Sequence, residues 1–196
     1  MHAMLYSILS AAMLAAGVLA QLVPPYFNNT SVTDGDKDGA LALHNFFRER
    51  SNIPPLHWSD NLTEIAQVAA DWISSADIPG TPINFTTRAT HEAYYNLEVV
   101  YLSPGTPHQF GAFYQATLAF WADNTHYHGE VIPSGDFLGY SPYTQMMWCG
   151  TTCLGMAGAT NSENRTFVVA AYSPPGNVHG KKPYNGSVFN ATCDST

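Results

Sequence analysis

Leu154-Gly155-Met156-Ala157-Gly158-Ala159, then Thr160-Asn161-Ser162-Glu163-Asn164-Arg165-Thr166, then Phe167-Val168-Val169-Ala170-Ala171-Tyr172 follow one another in the last third of the chain. Leu154–Ala159 and Phe167–Tyr172 are short apolar runs and read as two strands, with Asn161–Asn164 turning between them. Pro174-Pro175-Gly176-Asn177 stops the second strand. An antiparallel pair therefore lies near the C-terminal end, and what precedes it decides the class of fold.

Upstream the period changes to that of helices. Leu43, Phe46 and Phe47 share a helical face, after Asp36 and Asp38, which suit the positive end of the helix dipole. Leu62, Ile65, Ala66, Ala69, Trp72 and Ile73 follow the i, i+3, i+4, i+7 pattern, and Asn61 with Glu64 offers a box-like start. A third helix is expected over Phe110, Phe113, Tyr114, Thr117, Trp121 and Asn124, after Pro104-Gly105-Thr106-Pro107. Helices first and strands later predict an α+β domain with helices packed on an antiparallel sheet.

Met4–Ala20 is an apolar run ending in Val18-Leu19-Ala20, with no Lys or Arg after it to stop transfer. It reads as a signal peptide over residues 1–20, cleaved before Gln21. Residues 21–38 form an extended lead-in, 39–180 the folded domain and 181–196 an irregular tail. Asn-X-Ser/Thr sequons stand at Asn28, Asn29, Asn61, Asn84, Asn164, Asn185 and Asn190. They fit a secreted glycoprotein. So does a charged fraction of only 11%, because glycans would solubilise a charge-poor surface. The net charge of −8 excludes nucleic acid and electrostatic attachment to anionic membranes as partners.

The three cysteines are Cys149, Cys153 and Cys193. An oxidising compartment predicts one disulfide and one odd thiol. The turn Gly150-Thr151-Thr152 favours a Cys149–Cys153 bridge, and capture of Cys193 by either residue is the alternative. A C-x3-C pair without a second ligand pair does not predict zinc.

Other chemistry finds little support. Asp34, Asp36, Asp38 and Gly39 open like a calcium loop, but Asn45 stands at the twelfth position, where a bidentate Glu is needed. We read these acids as caps of the first helix. His126, His128 and Glu130 follow the third helix, where imidazoles interact with its C-terminal dipole. No nucleophile elbow exists, and Glu92, Glu98 and Glu130 are too scattered to nominate an acid/base pair. The expectation is a protein without catalytic residues.

Four blocks, in order, carry a resemblance. Leu43-His44-Asn45-Phe46-Phe47-Arg48 precedes Pro55-Leu56-His57-Trp58, and Ala119-Phe120-Trp121 follows. Then come Tyr143-Thr144-Gln145-Met146-Met147-Trp148 and Tyr172-Ser173-Pro174-Pro175-Gly176-Asn177-Val178. Together they resemble the CAP superfamily, the group of pathogenesis-related-1, antigen 5 and cysteine-rich secretory proteins, in a divergent fungal form. The resemblance implies an α-β-α sandwich over Leu43–Val178.

Many members of that family hold two His and two Glu in a central cleft able to bind a divalent metal. On the family register this chain has Pro142, Tyr95 and Asn124 at three of those positions, and only His91 near the fourth. No cofactor and no metal site are therefore expected; His91, His126 and His128 are the only candidates to nominate. Cleft residues on this register are His91, Tyr95, Asn124, Tyr143 and Gln145. Tyr94, Tyr95, Tyr101, Phe110, Phe113 and Tyr114 are candidates for an apolar groove. Fungal relatives bind sterols or lipids, so the resemblance implies a sterol or fatty acid as ligand. The alternative is an extracellular protein-interaction or effector module.

Overall fold

A computed structural model of the chain describes residues 34–75, 95–102, 111–135, 137 and 139–193. The calls on Asn28, Asn29, Asn84, His91, Tyr94 and Phe110, and those on residues 1–33, lie outside the described residues, as does the side chain of Tyr101.

Helix α1 runs over Asp34–Arg50 and begins inside the expected lead-in. Its inward face is Ala40, Leu43, His44, Phe47 and Arg48, all buried at spacings of three and four residues. Two residues of strand β1, His57–Trp58, lead into helix α2, Asp60–Ser75. Ser59 caps that helix, its Oγ accepting from Leu62 N at 3.4 Å, so the box-like start at Asn61 and Glu64 does not form. Strand β2 is Asn96–Leu102, helix α3 is Ala112–Ala122, and a 3₁₀ turn, Asp123–His126, follows it. Helix α4, Ser141–Met146, precedes strands β3, Cys153–Thr160, and β4, Thr166–Ser173.

The sheet order is β1-β3-β4-β2. Strands β3 and β4 pair antiparallel from Cys153↔Ser173 to Thr160↔Thr166, as their sequence predicts. β2 pairs antiparallel with β4, whereas β1 runs parallel to β3, so the sheet is mixed at one edge. Side-chain alternation assigns the layers. Leu97, Val99, Ala157, Phe167, Val169 and Ala171 pack against Leu62, Ala66, Ala70 and Ile73 of α2. The opposite face meets α3 and α4, with α1 against α3. The result is an α-β-α sandwich within the compact unit Ser31–Thr196.

Two glycines and one acid set these distances. A Cβ on Gly155 would overlap the Thr63 backbone, so only glycine lets α2 lie this close to β3. Gly111, at φ +87°, opens α3. The Asp36 carboxylate accepts there from Phe113 N (2.9 Å) and Tyr114 N (3.1 Å). Asp36 therefore caps α3 rather than α1, and the segment expected to cap α1 is itself helical.

Candidate functional site

The paired motifs meet beneath the helical layer. Arg48 is fully buried and donates to four backbone oxygens: Pro54 (2.8 Å), Met146 (2.8 Å), Trp148 (3.0 Å) and Thr151 (2.9 Å). Burial lowers its pKa to about 10, which leaves it charged at neutral pH. Asn45 donates to Leu56 O (3.0 Å) and accepts from Leu56 N (2.7 Å), tying α1 to the approach of β1. Two residues of the first motif, Asn45 and Arg48, are thus fasteners.

Gln145 does the same for the second motif. Its Oε1 accepts from Asn96 Nδ2 (2.8 Å) and from Gly176 N (2.7 Å). Its Nε2 donates to Thr151 Oγ1 (3.0 Å), which donates to Pro174 O (2.9 Å). A Cβ on Gly176 would stand 2.6 Å from Trp148 Cγ, so the Gly of the last motif is fixed by the Trp of the one before. Tyr143 and Gln145, expected to line a cleft, are 1% and 0% exposed and belong to the core.

Glu98, which the sequence shows only as a scattered carboxylate, lies at the centre of this region. It is 1% exposed and accepts from Asn96 Nδ2 (2.9 Å), Ser141 Oγ (2.9 Å) and Asn177 Nδ2 (3.1 Å). Burial pushes its pKa up to about 8 against the pull of those three hydrogen bonds, and the charge of Asp123 pushes the same way. Asp123 is itself raised to about 6 by desolvation, with His126 opposing. The sequence signal was available: Glu98 is the one charge inside the apolar run Leu97–Leu102. Its two oxygens are tied to Asn96, Ser141 and Asn177, which suits fastening β2 to α4 and the loop after β4.

The family's metal residues do not fit an ion here. Pro142 is buried at the start of α4, and Asn124 donates to Trp121 O at 2.6 Å. Tyr95 packs against the α2 layer, on the other side of the sheet from Glu98. Among the described residues no group of three or more His, Cys, Asp or Glu could hold a metal. His126 and His128 are exposed.

The aromatic candidates do not form one groove among the described residues. Tyr95 belongs to the α2 face, whereas Tyr114 is 4% exposed in the core of α3. Phe113 lies against the position of Gly158 on that same α3 side.

A different apolar hollow exists. The outer flank of α2 and the start of β3 line an open groove of about 550 Å³. Leu62, Ile65, Val68 and Cys153 supply its apolar lining, and Ser59, Asn61, Glu64 and Ser173 its polar lining. Its volume falls in the range of small-molecule sites. Helical period alone placed Trp72 with the buried residues, but it is 53% exposed. The sheet beneath reaches Ala66, Ala70 and Ile73 and leaves the neighbouring stripe outside.

Cys149 bonds to Cys193, not to Cys153, with the two Cα atoms 5.5 Å apart. Cys153 is committed to β3, paired with His57 and Ser173, and carries a free thiol. Cys149 N instead donates to Pro183 O (2.9 Å), which brings the C-terminal segment alongside. Tyr184 is buried there with its hydroxyl 2.7 Å from that of Tyr143.

Residues 41–172 match the cysteine-rich secretory protein family, CAP. The chain belongs to that family. It is 28% identical over 153 residues to pathogenesis-related protein PR-1 of Medicago truncatula, covering 76% of this chain and 79% of the relative. It is 30% identical to secreted protein RBT4 of Candida albicans over 77% of this chain, but spans only 38% of that protein's length. Among solved structures it is similar to hookworm platelet inhibitor, with a TM-score of 0.58 at 20% identity, covering 82% of this chain and 81% of the other. It is also similar to Schistosoma mansoni venom allergen-like protein 4, with a TM-score of 0.53 at 17% identity over 79% and 96% of the two chains. These two likenesses establish the sandwich as the CAP fold. No helix among the described residues is long and apolar enough to cross a membrane.

Proposed function

We propose that this CAP protein is secreted and N-glycosylated, and that it carries a sterol, fatty acid or similar apolar molecule without acting on it. The observation that carries the reading is the open groove of about 550 Å³ with Leu62, Ile65, Val68 and Cys153 among its lining. These apolar groups favour an apolar body, and Ser59, Asn61, Glu64 and Ser173 can hydrogen-bond a polar head such as a hydroxyl. Secretion is supported by the apolar leader over residues 1–20, by the Cys149–Cys193 bridge, and by likeness to a relative named as secreted. The sequon residues Asn61, Asn164, Asn185 and Asn190 are all exposed, as glycan carriers must be.

The test is titration of the secreted protein with labelled sterol and labelled fatty acid, repeated with Val68→Glu. Val68 is 72% exposed, so the substitution spares the core. Saturable binding that weakens at least tenfold in the variant is expected. Saturation by neither ligand would favour an extracellular protein-interaction module, and binding untouched by Val68→Glu would place the ligand elsewhere.

A further inference from the structure

The groove against α2 carries one charged side chain among its lining residues, and that side chain is an acid, Glu64. It follows Asn61 by three residues and precedes Val68 by four, so the three share a face of the helix. No Lys, Arg or His lines the groove. Glu64 is exposed, and the ion pairs Lys37–Asp60 (3.3 Å) and Arg165–Glu163 do not involve it.

The cations that approach this region are engaged elsewhere. Lys37 reaches the head of α2, but its ammonium is held there by Asp60 and lies 5.2 Å from the centre of the Trp58 ring. Arg48 is fully buried and donates to four carbonyls of the core. The start of a helix favours anions, yet the first turn of α2 already holds Asp60, and the dipole fades beyond that turn. The net charge of −8 adds a field of the same sign as Glu64.

We propose that the groove selects an amphiphile with a positively charged head, a protonated long-chain amine, and that Glu64 is the residue that sets this choice. The proposal rests on the carrier reading of the groove and narrows it. Leu62, Ile65 and Val68 take the aliphatic chain, for which they offer an apolar surface. An ammonium has three donors and no acceptor, so Glu64 and the oxygens of Ser59 and Asn61 can all receive from it. A fatty acid of the same length would gain the same burial of its chain. Its carboxylate would meet a like charge and no cation. The groove is open, so solvent weakens both the attraction and the repulsion, but the two effects favour the same ligand.

The test is titration of the secreted protein with an alkylamine, an alcohol and a fatty acid of equal chain length. All three are kept below the concentrations at which they aggregate, at pH 7 and low salt. The amine should bind most tightly and the acid least, with a gap of about tenfold that narrows as salt is added. Glu64→Gln should close the gap to about twofold or less, and Glu64→Lys should reverse the order. Glu64 is exposed, so neither variant disturbs the core, and an unchanged affinity for the alcohol checks this. Glu49→Gln removes the same charge from an exposed position of α1 outside the groove and should leave the gap intact. A fatty acid that binds as well as the amine would overturn the proposal and leave the carrier reading standing. A gap that survives Glu64→Gln, or that Glu49→Gln closes equally, would overturn it too, because the charge of Glu64 would not be its source. Saturation by none of the three would end the proposal and leave the carrier reading to the sterol titration.

Discussion

Tyr172 Oη stands 2.8 Å from His44 Nε2 across 128 residues of sequence, and this contact joins the first motif to the last. The ring's other nitrogen lies 2.8 Å from Ala40 O, which can only accept, so Nδ1 carries the ring's proton and Nε2 accepts a hydrogen bond from the tyrosine hydroxyl. Burial lowers the His44 pKa to about 4, which keeps the ring neutral and the arrangement fixed. Tyr172→Phe would leave Nε2 buried without a donor. We expect a loss of about 1–3 kcal/mol in denaturant unfolding, with the fold retained. No measurable loss would mean that the tautomer is reversed or that water replaces the hydroxyl.

Arg48→Lys should be far from conservative. Four carbonyls from three separate segments converge on a planar fork that an ammonium cannot reproduce. At least two carbonyls would lose their donor inside the core, costing on the order of 2–4 kcal/mol. Thermal unfolding followed by circular dichroism would register this as a drop of many degrees. A midpoint within a degree or two of the wild type would show that the four bonds contribute little.

The motifs were legible, but the reason for them was not. Leu62, Ala66, Ala70 and Ile73 bury one side of α2, as their spacing predicts, because the sheet face beneath is apolar. Strand β2 is not legible in the sequence because both its faces are covered around Glu98, so it lacks the alternation that marks a half-exposed strand. Helix α4 has six residues with a proline in its first turn, too few to display a period. The groove was hidden for a different reason. Ile65 and Cys153 are 88 positions apart, and only the docking of α2 onto β3 at Gly155 brings them together. Side-chain pattern along one helix carries no information about which neighbour ends where.

Glu98 and His44 should shape stability against pH in opposite directions. The carboxyl of Glu98 titrates near 8 when folded and near 4.5 when unfolded. Between those values the folded state holds a proton that the unfolded chain has released, so stability falls as pH rises. His44 binds its proton near 4 when folded and 6.5 when unfolded, so its contribution falls as pH drops below 6.5. The two slopes oppose one another between about pH 4.5 and 6.5 and leave Glu98 alone above that. Unfolding free energy should therefore decline from pH 6.5 to 8, by up to about 1.4 kcal/mol per unit. Glu98→Gln keeps an amide that Asn96 and Asn177 can donate to, and should flatten that decline. An unchanged slope in the variant would exclude Glu98 as its source.

The last prediction concerns sulfur. The fold gives Cys153 to strand β3 and brings Cys193 to Cys149, so native protein should expose one thiol to alkylation and that thiol should be Cys153. Peptide mapping without reduction should recover Cys149 and Cys193 in one linked fragment. The bridge closes a separation of 44 residues, so Cys193→Ser should cost about 2–4 kcal/mol through the greater freedom of the unfolded chain. The effect should be felt most where the C-terminal segment docks. Tyr184 is buried against Tyr143, and amide exchange should quicken around Pro183–Tyr184 before it quickens in β4. The central strands need no help from the bridge, because their order is set by the β3–β4 ladder and the α2 layer. A linked fragment containing Cys149 and Cys153 would overturn the pairing. It would require Cys153 to leave its register opposite Ser173, and the same exchange experiment would show that as loss of protection at the start of β3.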